Sequence, residues 1–147
     1  MKNYQIYFSF TFLFLYLIQL LPNIIWAVYP PVNNILAQNA APFAWLDILE
    51  HILGVLIVFS LVFLHSTIQG NSVTKYIIIA ALCAAGYYIC WIAYYLGRRE
   101  SLLFLCMAVL PPCYFISLSL WKRNYICMII CILFAFCHIA ITCFNYV

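Results

Sequence analysis

Residues Tyr125–Tyr146 read YICMIICILFAFCHIAITCFNY, a continuous apolar run without a single Asp, Glu, Lys or Arg. A helix needs about 20 mostly apolar residues to cross the hydrocarbon core of a bilayer, and this run is long enough. Its apolar residues are continuous rather than alternating, which argues against a strand of a membrane β-barrel. Four further stretches are long enough and mostly apolar: Gln5–Tyr29, Leu46–Ile68, Thr74–Leu96 and Leu102–Trp121. The sequence therefore predicts an all-α, polytopic transmembrane helix bundle of five spans, forming a single integral membrane domain over residues 1–147.

Composition agrees. The chain is 69% apolar and only 6% charged, whereas soluble domains are about 45–50% apolar and about 25% charged. So few charges cannot cover a water-facing surface, which excludes a soluble enzyme, a nucleic-acid binder and a disordered tail. The bilayer is the expected environment. A homo-oligomer or a larger membrane complex is the expected setting.

Turn signals separate the spans. Gln69-Gly70-Asn71-Ser72 closes the second, Gly97 terminates the third, and Lys122–Asn124 joins the last two. Connections this short force neighbouring helices to run antiparallel and side by side. Pro111 and Pro112 fall within the fourth span and predict a kink there, with a milder bend at Pro22. The first span reads as a retained anchor rather than a cleaved signal, because its apolar stretch is long and lacks an Ala-x-Ala site. The positive-inside rule sets Lys2, Lys75, Lys122 and Arg123 against Arg98 and Arg99. This favours a cytoplasmic amino terminus and an external carboxyl terminus in a cell membrane.

Ionisable groups inside a span are costly, so their placement carries information. The second span opens Asp47-Ile48-Leu49-Glu50-His51. At about 100° per residue, Asp47, His51, Gly54 and His65 share one face, with Glu50 beside it. On the third span Tyr76, Ala80, Cys83, Tyr87, Trp91, Tyr94 and Arg98 advance by threes and fours as a stripe, with Tyr88 and Tyr95 alongside. On the fifth, Cys127, Cys131, His138 and Asn145 share a face near Thr142. Antiparallel wiring brings Asp47, Glu50, His51, Tyr94, Arg98, His138 and Asn145 to one end, where they are expected to line a ligand-binding pocket. The connection Pro30–Trp45, uncharged throughout, is the only long one and is placed to act as a lid.

Motif chemistry is sparse. The eight cysteines include no Cys-x-x-Cys pair and none lies in a predicted loop, so they read as packing residues. The chain has no phosphate loop, no His-Glu-x-x-His and no serine elbow. Neither a metal, a cofactor nor a catalytic residue is expected. Binding or transport of a small polar ligand, a lipid headgroup or a cation is the leading expectation. A non-catalytic accessory or assembly subunit of a membrane complex is the alternative, and a lipid-modifying enzyme with His51 or His138 as general base comes third.

Two patches carry a resemblance. One runs from Pro30-Pro31-x-Asn33 through Leu49-Glu50-His51; the other from Tyr87-Tyr88-x-x-Trp91 through Gly97-Arg98 to Leu110-Pro111-Pro112. Together they resemble small five-span bacterial membrane proteins with no assigned activity. That resemblance implies the five-span architecture and no mechanism.

Overall fold

A computed structural model describes residues 3–68 and 74–147. It is 77% helical, and its five long helices are each long and apolar enough to cross a membrane. They are α1 (Phe10–Val28), α2 (Ala44–Phe63), α3 (Thr74–Tyr95), α4 (Ser101–Trp121) and α5 (Tyr125–Tyr146). The chain is an integral membrane helix bundle, as its composition requires. Lys2 and the Gln69–Ser72 turn signal lie outside the described residues.

Two boundaries differ from the sequence expectation. Tyr4–Ile6 (β1) and Leu64–Ser66 (β2) form a short antiparallel pair, with Gln5 opposite His65. The first span therefore begins at Phe10 and the second ends at Phe63. Ser9 caps α1, its side chain accepting from the Phe12 amide at 3.5 Å. Past Phe63 the helical count no longer applies, so His65 is not on the Asp47 face. Its Nε2 lies 3.1 Å from the carbonyls of Tyr7 and Val62, and its ring stacks on Tyr7.

The expected helix stops are present. Gly97 has φ 96°, in the left-handed region. The amide of Gly97 bonds the Tyr94 carbonyl and that of Arg98 bonds the Ala93 carbonyl, the paired bonds of a Schellman cap. The α4–α5 turn repeats the pattern with Arg123 at φ 53°; Arg123 bonds Leu120 and Asn124 bonds Ser119. Asn124 then caps α5, its Oδ1 accepting from the Cys127 amide at 3.1 Å. Its Nδ2 donates to the Ser60 and Leu64 carbonyls at 3.0 and 2.6 Å, which joins the end of α2 to the start of α5.

α3 packs on α4, α4 on α5 and α5 on α2. α1 closes the ring, and polar contacts hold it where apolar packing is thin. Apolar surface gains little by leaving lipid, so hydrogen bonds between helices matter more here than in a soluble core. The Tyr88 hydroxyl donates to the Ile18 carbonyl at 2.5 Å and that of Tyr114 to the Leu15 carbonyl at 2.9 Å. That of Tyr87 donates to Asn23 Oδ1 at 3.1 Å. α4 continues as one helix through Pro111 and Pro112, and α1 through Pro22.

One end of the bundle carries the strand pair and the α4–α5 turn, and its core holds Phe12, Ile57, Leu61, Tyr114, Leu118 and Cys127. The other, the cap end, carries the connection from α1 to α2. There Tyr87, Trp91, Tyr94, Phe104 and Met107 form a second cluster.

Candidate functional site

The α1–α2 connection is tied across the cap end by side chains from three helices. Asn34 Oδ1 accepts from Trp26 Nε1 at 2.7 Å and from the Tyr94 hydroxyl at 3.0 Å. That hydroxyl in turn accepts from the Leu36 amide at 3.2 Å. Asn34 begins a short 3-10 turn, Ile35–Gln38, but its side chain serves these partners and not the turn. The Tyr146 hydroxyl donates to the Ile35 carbonyl at 3.2 Å. Asn145 Nδ2 reaches Asn39 Oδ1 at 3.0 Å and the Ala40 carbonyl at 2.9 Å. The expected lid is thus a fastened roof.

Beneath it lies a chamber of three lobes, of about 460, 140 and 140 Å³. The lobes share walls. Tyr16, Gly54 and Phe134 border the largest and one smaller lobe; Trp26, Leu36 and Asn39 border the largest and the other. Asn23, Tyr87 and His138 border both smaller lobes.

The Glu50–His138 pair stands where these lobes meet. Glu50 lies on the second turn of α2 and lines the largest lobe. His138, on α5, lines the two smaller ones. Its Nδ1 hydrogen-bonds Glu50 Oε1, and the side chains are 28% exposed for His138 and 16% for Glu50. The imidazole stacks on Phe134 with ring centroids 5.1 Å apart, and Thr142 Oγ1 donates to the His138 carbonyl at 3.0 Å. Among the described residues, Nε2 of His138 has no protein partner. With Nδ1–H held by the carboxylate, Nε2 is a hydrogen-bond acceptor when the ring is neutral and a donor when it is the imidazolium.

The other residues expected at the site divide into three groups. Asp47 and His51 line the largest lobe at its rim; His51 Nδ1 sits 2.8 Å from the Asp47 carbonyl, and both side chains are exposed. Tyr94 and Asn145 hold the roof and do not line the chamber, and Tyr94 is fully buried. Arg98 is not part of the cluster: it faces outward and pairs with Glu100 at 3.0 Å. Its neighbour Arg99 takes the inward place. The Arg99 guanidinium lies 4.1 Å from the Tyr94 ring centroid and donates to the carbonyls of Tyr94 and Asn33 at 2.6 and 2.8 Å.

Sequence reasoning missed Gln19, Asn23 and Trp26, and it read Asn34 and Asn39 only as the ends of a short helical turn in the lid, which they are, and not as hydrogen-bond partners of the helices. Gln19, Asn23 and Trp26 recur by four and three along α1, so a polar stripe on an apolar helix was available as a signal. Gln19 is 2% exposed, and neither atom of its amide has a hydrogen-bond partner; Trp91 Nε1 is likewise unpaired.

Asp47, Glu50 and His51 offer metal-ligand atoms within 4.8 Å of one another. The Glu50 carboxylate is already engaged by His138, so a cation there would compete with the imidazole. Buried Cys127 and Cys131 have sulfurs 4.0 Å apart and line none of the three lobes. Comparison with protein-family models, with curated proteins and with solved structures finds no match to this chain.

Proposed function

We propose that this chain is a membrane-embedded binding protein whose chamber takes a small polar ligand or headgroup at Glu50 and His138. The observation that carries the reading is the Glu50–His138 pair itself. An acid and an imidazole held together inside an apolar bundle are costly, and here they border open volume instead of filling packed core. Asp47 and His51 extend the polar surface to the rim. By the positive-inside rule, Lys75, Lys122 and Arg123 at the strand end favour a cytoplasmic strand end in a cell membrane, which would set the roofed chamber in the outer leaflet.

The test is native mass spectrometry of protein extracted from its own host in mild detergent. Wild type is expected to carry a bound small molecule that both Glu50→Gln and His138→Ala lose while remaining folded. Identical spectra for the three proteins would overturn the reading. A stoichiometric foreign subunit in all three would favour the accessory-subunit role instead.

A further inference from the structure

We infer that the chamber's occupant is a neutral-headed lipid drawn sideways from the bilayer, its uncharged head reaching past Glu50 into the smaller lobes and its hydrocarbon tail along Val55 and Val58 in the gap between α1 and α2. This rests on the binding reading above and specifies its ligand.

The smaller lobes hold hydrogen-bonding groups without partners. Both amide atoms of buried Gln19 are unpaired, and Gln19 lines one lobe. Trp91 Nε1 is unpaired, and Trp91 lines the other. Ala108 lines that lobe too. Its carbonyl loses both helical donors, because the residues three and four positions on are Pro111 and Pro112. Buried polar groups are normally satisfied, and a cluster left open calls for a partner. Donors and acceptors are both present, so the partner must offer both, as a hydroxyl or an amide does.

Charge narrows the class. Among the described residues, no Lys or Arg lines any of the three lobes. Arg98 is paired with Glu100, and Arg99 is spent on Tyr94 and the roof. A phosphate in this chamber would meet Glu50 with no fixed cation to offset it, so an anionic phospholipid head does not fit.

The entrance indicates the route. α1 and α2 are linked at the strand end, where the Ser9 amide bonds the Val62 carbonyl and that of Tyr7 bonds Phe63. Towards the cap end the largest lobe lies between them, with Tyr16 and Trp26 on one wall and Glu50, Gly54, Val55 and Val58 on the other. Both helices span the membrane, so this gap opens towards acyl chains, and the roof covers it from the water side. Its lining passes from Asp47, Glu50 and His51 at the cap end to Val55 and Val58 deeper in, the polarity gradient of an amphiphile. The volume suits a drug-sized ligand.

The experiment uses the full chain with Trp45→Phe and Trp121→Phe, which leaves Trp26 and Trp91 in the chamber walls as the emitting tryptophans. In phosphatidylcholine nanodiscs, dibrominated monooleoylglycerol at low mole fraction should quench this emission saturably. Gly54→Leu should abolish the saturable component. Gly54→Ala should keep it, because an added Cβ meets only Phe134 at 3.8 Å. Gln19→Leu should weaken binding at least tenfold while raising the melting temperature of the empty protein, since it removes an unpaired amide. Quenching that is linear in mole fraction, equal for a dibrominated phosphatidylglycerol and unchanged by Gly54→Leu would overturn the inference. It would leave the small-ligand reading to its own mass measurement.

Discussion

The Tyr88 hydroxyl on α3 donates to the Ile18 carbonyl on α1 at 2.5 Å, and Ile18 is the residue whose helical donor, four positions on, is replaced by Pro22. One side chain thus satisfies the acceptor that the proline frees and fastens the least packed helix to the bundle. Tyr88→Phe should destabilise the protein by about 1 kcal/mol, the scale of an interhelical hydrogen bond in a membrane. In a Pro22→Ala background the introduced alanine restores the N–H, and the same tyrosine substitution should cost close to nothing. Unfolding in detergent by SDS titration measures both. Equal costs in the two backgrounds would show that Tyr88 acts through packing alone.

Arg98 and Arg99 are adjacent and should behave differently. Arg99 stacks on Tyr94 and bonds the Asn33 carbonyl, while Arg98 pairs with exposed Glu100. Arg99→Ala should cost about 1–2 kcal/mol through a lost cation–π contact and lost charged hydrogen bonds. It should also speed hydrogen exchange in the roof between Asn33 and Ala40. Arg98→Ala should fall within about 0.5 kcal/mol of wild type, as exposed ion pairs do. Matched exchange rates in the two variants would refute the clamp.

Glu100, exposed before α4, has a carboxyl held below its ordinary 4.5 by its own backbone amide and then by Arg98. A lowered folded-state pKa means that its contribution is complete above the unfolded value and is lost as pH falls through the folded one. A carbon-13 titration of the Glu100 carboxyl in micelles should give a midpoint below 4.5, moving upward in Arg98→Ala. A wild-type midpoint at or above the ordinary value would contradict the geometry.

The spans were legible because membrane crossing demands long uninterrupted apolar runs, and the third-span stripe was legible because its period matches the helix. Ala80, Tyr87, Trp91 and Tyr94 are buried as that stripe requires. Counting failed where the helix itself stops. Arg98 was placed on the Tyr94 face by counting through Gly97, but the left-handed turn there rotates Arg98 outward and brings Arg99 over the ring. His65 was misplaced in the same way, by counting past Phe63 into a strand. Glu50 and His138 were found because charge is expensive in lipid. Gln19 and Asn23 were passed over because neutral amides stand out less, although an unpaired buried amide is also costly.

Removing one partner of the Glu50–His138 pair leaves the other half-enclosed and unpaired. A fully buried broken pair costs about 3–5 kcal/mol. These side chains retain 16% and 28% exposure, so Glu50→Ala or His138→Ala should cost about 1–3 kcal/mol in SDS titration. The double variant should cost less than the sum, with a coupling of about 1–2 kcal/mol, because neither orphan remains. Glu50→Gln should fall between wild type and Glu50→Ala, since its amide oxygen still accepts from Nδ1 but without charge assistance. Strict additivity of the two alanine variants would mean that the two groups do not interact in the folded protein, and the proposed ligand chemistry would then lose its polar centre.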